Sequence, residues 1–350
     1  MIISRLNFEK LLFRPELLVM LRDGETFFPV HATISLTNLC NHRCIWCTVY
    51  EYQQGKARFF PGTSLLAFLG QARTRGLAAV TYVGNGEPTL HPDFEDIARK
   101  INALGIEQGI FTNGTNAERL ADTYLDCFTF VRFSLDAGSP ETHAKMHGVT
   151  NAFDSIISGI RTLCDLRRDR RGKKPQIGIQ YVFHNDNIDG IHEAASLAKE
   201  IGVDYLSFKP AFNRGALLAN GNLNTLSLHE VHPHIMKALD DFSSDDFAIY
   251  FREFQVDGID RNTLNYDCCV AGLFNILIYE DEQVIICGPK RVVAGTIRDQ
   301  PERLAKNIEA LYRSLPLDNC PGGCRYHSLN HLAYLLRNPE ARQAFHENFI

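Results

Sequence analysis

Apolar, β-rich runs return at intervals along the first two thirds of the chain. They stand at 32–37 (ATISLT), 78–84 (AAVTYVG), 109–113 (GIFTN), 128–136 (FTFVRFSLD), 176–183 (QIGIQYVF) and 204–210 (DYLSFKP). Between them lie stretches with apolar residues three and four apart, as in TSLLAFLGQARTRGL and DGIHEAASLAKEIGV. That is the period of an amphipathic helix. Strands alternating with helices predict an α/β fold built on a parallel sheet. Six such units over 30–215 fit a partial barrel or a doubly wound sheet. Either one puts its chemistry at the C-terminal ends of the strands.

The rhythm is framed by other textures. Residues 1–29 read as a helical extension (NFEKLLFRPELLVML) followed by a turn at RDGE. Residues 216–262 read as a linker, part of the Gly/Asn-rich NRGALLANGNLNTLSLHE, and a helix near 228–241. From 263 to 326 cysteines return beside two β-like runs, FNILIY and EQVIIC, which predict a hairpin in a small α+β domain. Residues 327–350 read as a closing helix.

With 350 residues the chain exceeds one ordinary core. Hydrophobic residues make up 45% and charged residues 22%, as in soluble globular proteins. The net charge of −5 gives no broad attraction to phosphate backbones or anionic lipid, so neither nucleic acid nor membrane is an expected partner. The one basic run, Arg167 to Lys174, falls between a helix and a strand and reads as a solvated loop. Glu9, Lys10 and Arg14 break any signal-peptide pattern, and no apolar run approaches the ~20 residues of a membrane span. The cytoplasm is the expected compartment. Ten cysteines there point to metal binding or catalysis rather than disulfides. Cys127 and Cys164 read as core.

Cys40, Cys44 and Cys47 stand as C-x3-C-x2-C directly after the first strand. Thiolates are the usual ligands of iron–sulfur clusters and of zinc. A closed zinc site needs four ligands, and His42 as the fourth would lie awkwardly inside the tight loop. The favoured reading is a 4Fe–4S cluster with three protein ligands and one open iron, where a small molecule binds.

The motif, its place after the first strand and the aromatic Trp46 before its last cysteine resemble the radical S-adenosylmethionine (SAM) superfamily. The resemblance covers about residues 30–215 and implies a partial (β/α)6 TIM-type barrel. It implies that the open iron chelates SAM. One electron then cleaves SAM to methionine and a 5′-deoxyadenosyl radical, which abstracts a substrate hydrogen. Trp46 would shield the cluster. GNGEP at Gly84, Asn85, Gly86, Glu87 and Pro88 resembles the family's G-G-E-P motif, which holds the SAM amino group; Asn85 replaces its first glycine. TNGT contains Asn113, and RFSLDA places Ser134 at the position that commonly meets the SAM ribose. Asp136 either joins that site or caps a turn. The strand-five end, QYVFHNDN, should line the SAM cleft. An electron donor such as a flavodoxin or ferredoxin is implied as a partner.

Cys268, Cys269, Cys287, Cys320 and Cys324 form a second group, five of the ten cysteines. Four of them, two around a hairpin and two flanking PGG, can converge on one metal or cluster. The region resembles the "twitch" subset of SPASM radical SAM enzymes, although the last pair departs from a C-x2-C spacing. The resemblance implies one auxiliary 4Fe–4S cluster on Cys269, Cys287, Cys320 and Cys324, with zinc as the alternative. Cys268 is then a buried small residue or a hydrogen-atom donor, the role a thiol plays in radical SAM epimerases.

Four activities follow as expectations. The first is oxidation of a small polar substrate, such as a sugar or aminocyclitol in natural-product biosynthesis. The second is epimerisation through Cys268. The third is peptide modification, set lower because only 39 residues precede Cys40. The fourth, a non-enzymatic iron–sulfur protein, leaves GNGEP and SLD unexplained. Tyr50, Tyr52, Lys209 and Arg252 are candidate substrate contacts.

Overall fold

A computed structural model of the chain describes residues 8–211, 226–257, 264–318, 320 and 324–340. Most of the Gly/Asn-rich connection, the PGG turn and the last ten residues of the expected closing helix lie outside the described residues. All six predicted strands are present: β1 (His31–Ile34), β2 (Ala79–Tyr82), β3 (Glu107–Thr112), β4 (Phe130–Ser134), β5 (Gln176–Phe183) and β6 (Tyr205–Pro210). Each pairs in parallel with its sequence neighbour. A seventh parallel strand, β7 (Ala248–Phe251), extends β6. It falls in the stretch expected to be linker and helix, because four residues behind the acidic DFSSDD give too short a pattern to register.

Helices connect these strands, among them Gly62–Thr74, Phe94–Ala103, Ile191–Ile201 and Leu228–Phe242. Phe94–Ala103 shows why they form. Its buried Phe94, Ile97, Ala98 and Ile101 follow the i, i+3, i+4, i+7 stripe. Burying each of the three large ones is worth roughly 1.5–3 kcal/mol. Phe94 packs with Tyr82 and Phe128 between helix and sheet. The chain is thus an α/β protein with a mostly parallel sheet. Cys127 and Cys164 are buried in its core.

The C-terminal strands β8 (Asn275–Ile278), β9 (Gln283–Cys287) and β10 (Val292–Thr296) contain the expected hairpin. β9 pairs antiparallel with both β8 and β10, whereas β8 pairs in parallel with β1. A single ten-stranded sheet results, in the order β10-β9-β8-β1-β2-β3-β4-β5-β6-β7. The segment expected to stand as a small separate domain therefore continues the barrel sheet. Among the described residues no helix is long and apolar enough to cross a membrane. The basic run is more engaged than a solvated loop: Arg167 pairs with Asp204, and Arg170 with Asp122 and Asp126.

Candidate active site

The cysteine loop leaves β1 and is held from two sides. On one side stands helix Pro140–His147, started by Ser139, whose hydroxyl accepts from the Thr142 amide, and ended by left-handed Gly148. The last carbonyls of a helix have no partner inside it. Here the His147 and Met146 carbonyls accept from the Arg43 and Ile45 amides at 2.8 and 3.0 Å, fixing the backbone on either side of Cys44. On the other side lies GNGEP. The Glu87 amide donates to the Leu39 carbonyl at 2.8 Å. A Cβ on Gly86 would lie 2.2 Å from that same oxygen, so only glycine permits this approach. Asn38 closes the loop, its amide nitrogen donating to the Tyr52 and Lys56 carbonyls while its oxygen accepts from the Arg58 amide.

Behind Cys44 lies a buried polar knot. His147 Nδ1 is 3.3 Å from Cys44 Sγ and 3.1 Å from His42 Nδ1, and its Nε2 is 3.0 Å from Asp136 Oδ2. The last is an ion-pair contact without in-line hydrogen-bond geometry. Burial opposes a charge on His147, yet the Cys44 thiolate and the Asp136 carboxylate outweigh it and raise the group to about 10. His143 stacks on His147 at 4.4 Å. Burial first, then the neighbouring His147, pushes both His42 and His143 down to about 3. Burial also pushes the Cys40 thiol up to about 12 and raises Cys47.

The four C-terminal thiols converge from three segments. Cys269 precedes helix Ala271–Phe274, Cys287 ends β9, and Cys320 and Cys324 come from the stretch before helix His327–Arg337. Asn330 of that helix accepts from the Val270 amide at 2.9 Å and donates to Cys269 Sγ at 3.4 Å. Burial pushes Cys269 up to about 11, and Cys324 and Cys287 add to the shift. Cys287 is raised likewise by burial and by Cys324 and Cys320. A cationic metal centre is one partner that turns crowded buried thiols of this kind into thiolates together. The donor set therefore fits one.

The spacing of the sulfurs bears on which centre. Four thiolates around a single zinc at ~2.3 Å lie about 3.8 Å from one another. Among the described residues the only three metal donors within 4.8 Å of one another are His42, Cys44 and His147, a trio that borrows Cys44 from the loop. Neither cysteine set is drawn up around one ion.

One cavity of about 530 Å³ joins the two sets. Cys44, Trp46 and Cys47 line it at one end, and Cys269, Cys287, Cys320 and Cys324 line it elsewhere.

Residues 34–206 match the family described as the Radical SAM superfamily. The chain carries a radical SAM domain. Over 173 residues it is 31% identical to a protein of Saccharolobus solfataricus named "Probable GTP 3′,8-cyclase", covering 49% of this chain and 53% of that one. Over 181 residues it is 27% identical to a Pyrococcus furiosus protein named "Tungsten-containing aldehyde ferredoxin oxidoreductase cofactor-modifying protein", covering 49% and 48%. The chain thus spans about half the length of the curated relatives it matches. Solved structures share the fold over more of the chain. Streptococcus suis SuiB bound to precursor peptide SuiA superposes with a TM-score of 0.67 at 16% identity, over 92% of this chain and 77% of that one. For anSMEcpe with bound AdoMet the TM-score is 0.61 at 14% identity, over 92% and 96%.

Of the residues expected around SAM, Trp46, Ser134 and Asp136 line the cavity of the radical SAM domain, as do Gln180 and Val182 at the strand-five end. Gly84, Asn85, Gly86, Glu87, Pro88 and Asn113 are not among the residues that line it; they lie in the loops after β2 and β3. Glu87 spends both carboxylate oxygens there. They accept from the Thr89 amide and hydroxyl, the Thr112 hydroxyl and the Asn113 amide, at 2.7 to 3.1 Å. Asn85, where the pattern has glycine, donates to Glu280 at 2.9 and 3.2 Å and accepts from Arg291 at 2.8 Å. Arg291 is clamped between the Tyr52 and Tyr279 rings. The substitution thus ties the GNGEP loop to the hairpin that carries Cys287.

Cys268 is not brought to the cavity. Its sulfur accepts from Arg337 Nη1 at 3.0 Å, while its neighbour Cys269 lines the cavity. Lys209 and Arg252 line the cavity, whereas Tyr50 and Tyr52 do not. His143, His147, Arg132 and Asn330 were not singled out from the sequence. The one available signal was the H-x3-H spacing at the end of a well-capped helix, which puts both rings on one face.

Proposed function

We propose that the chain is a radical SAM enzyme that oxidises a small polar substrate held between two iron–sulfur clusters. The observation that carries this reading is one cavity lined by Cys44 and Cys47 of the first set and by all four cysteines of the second. Cys40, Cys44 and Cys47 would hold the SAM-binding cluster, and Cys269, Cys287, Cys320 and Cys324 an auxiliary one. When bound, the first supplies the electron that splits SAM into methionine and the hydrogen-abstracting 5′-deoxyadenosyl radical, and the second supplies an acceptor for the electron left on the substrate.

The protein's part is positioning and exclusion of water. The helix carbonyls hold Cys44 in place, and His147 meets its sulfur. Trp46 lies edge-on to His147, with ring centroids 6.4 Å apart, and forms cavity wall. Ser134 and the GNGEP backbone are the proposed SAM contacts. Glu87 acts here through the loop it braces. The Arg337 contact of Cys268 argues against the epimerase alternative, since a hydrogen donor has to reach the substrate.

A second reading is peptide modification. It is favoured by the breadth of the fold likeness to SuiB, whose structure holds the precursor peptide SuiA. Solvent deuterium and substrate scope separate the alternatives. Oxidation yields a product two electrons poorer and free of solvent deuterium, whereas epimerisation yields one deuterium at an inverted carbon.

The deciding test is iron content after anaerobic reconstitution of a Cys40→Ala/Cys44→Ala/Cys47→Ala variant. About four irons per chain should remain, as a four-thiolate cluster holds. Absence of iron would remove the auxiliary cluster and the oxidative reading with it.

A further inference from the structure

The cavity has an uneven charge. Among the described residues, Arg132, Lys209, Arg252, Lys290 and Arg325 line it against one carboxylate, Asp136. Asp136 is already taken by His147 and by the Val182 amide. Lys290 gives its ammonium to the Pro316 and Asp318 carbonyls. On the outer surface this chain pairs its arginines: Arg99 with Asp126, Arg119 with Glu95, Arg161 with Glu200.

Arg132 and Arg252 are treated differently, and neither meets a carboxylate among the described residues. Arg132, on β4, lies over the Phe111 ring at 4.6 Å and donates from Nε to the Tyr205 hydroxyl at 2.9 Å. Gly178 makes room for that tyrosine, since a Cβ there would lie 2.1 Å from its ring. Arg252, just beyond β7, has a buried Nε without a hydrogen-bond partner among the described residues, and its Nη1 reaches Gln255 at 3.5 Å. Burial, with Arg132 and Arg325 adding to it, pulls the Arg252 guanidinium down to about 9. Arg325 directly follows Cys324, so part of its field falls on that sulfur.

Guanidinium groups kept out of water without a counter-charge are unfavourable unless something supplies the anion. Their planar fork suits carboxylate and phosphate oxygens. We infer that the substrate carries an anionic group, a carboxylate or a phosphate, that seats against Arg132 and Arg252. This rests on the radical SAM reading of the cavity and narrows its substrate class. Anchoring the substrate at β4 and β7 leaves its remainder to reach toward the cysteine loop that follows β1.

The test uses the full chain, reconstituted and saturated with SAM so that the SAM site is filled. Inorganic phosphate and malonate are titrated separately by calorimetry into wild type, Arg252→Met and Arg132→Met, and SAM affinity is measured in each. One probe should bind wild type and lose at least tenfold in affinity in either variant, with SAM affinity unchanged. The tighter probe says whether the group is phosphate or carboxylate. Equal affinity of the probes for wild type and variants overturns the proposal. So does loss of SAM binding in Arg252→Met, which would give these arginines to the SAM carboxylate. If Arg252→Met fails to fold, Arg252→Lys keeps the charge but not the fork and should still weaken the probe. Failure of the wild type to form 5′-deoxyadenosine would instead sink the radical SAM reading, a separate readout.

Discussion

The two cysteine sets are built in opposite ways. Cys40, Cys44 and Cys47 lie within one loop, whose shape comes from backbone groups: helix carbonyls on one side and the Leu39–Glu87 contact on the other. Cys269, Cys287, Cys320 and Cys324 come from three segments, brought together by the β8–β9 hairpin and by Asn330 of a later helix. The first set is specified locally and is only buttressed by the fold. The second exists only once the fold is complete. They should therefore fail differently when each is disturbed.

The largest contrast is in SAM cleavage. Cys44→Ala should reduce 5′-deoxyadenosine formation to background, whereas Cys287→Ala should retain it while losing product. Chromatography of the nucleoside with and without substrate checks both, and equal loss in the two variants would erase the distinction drawn here.

Next comes the close approach that shapes the first loop. Gly86→Ala puts a methyl where the Leu39 carbonyl stands. The strain should cost about 1–3 kcal/mol and weaken SAM binding at least tenfold. Binding unchanged from wild type would show that the loop has another way to close.

The link between the regions is weaker by design of its parts. Asn85→Gly restores the family glycine but strips Glu280 and Arg291 of their shared amide. A loss of roughly 1–3 kcal/mol is expected for leaving such partners unsatisfied. Hydrogen exchange at β9 should rise more than exchange at β4. Uniform exchange would show that the amide does not brace the hairpin.

The smallest effect is a pH dependence of stability. Burial holds His143 neutral, pushed down to about 3 from the ordinary 6.5. A depressed folded value means its contribution is complete above ~6.5 and is lost as pH falls toward 3. His143→Phe should be near neutral at pH ~7.5 and should gain on the order of 1 kcal/mol over wild type at about pH 5.5. Urea midpoints at the two pH values measure it, and parallel shifts would assign the acid sensitivity elsewhere.

Legibility in the sequence follows the same division. The six strands and the first cysteine loop were readable because both are written in short, contiguous patterns. β7 was not, being four residues beside an acidic stretch, and neither was the parallel pairing of β8 with β1, which no local pattern encodes. Asn85 read as a mild departure from a glycine because its partners, Glu280 and Arg291, are about two hundred positions away. His147 and Arg132 were hidden for another reason. A polar residue earns attention through its neighbours, and theirs come from other strands and loops.

The pairing of β8 with β1 sets an order for assembly at the ribosome. β1 is made more than two hundred residues before β8, the partner for one of its two edges. Until then a row of amides and carbonyls beside Ala32 and Ile34 stays open to any passing strand. A chain released before Asn275 should accordingly aggregate, as light scattering would register. In this protein the C-terminal segment is also the cover that the newborn barrel waits for.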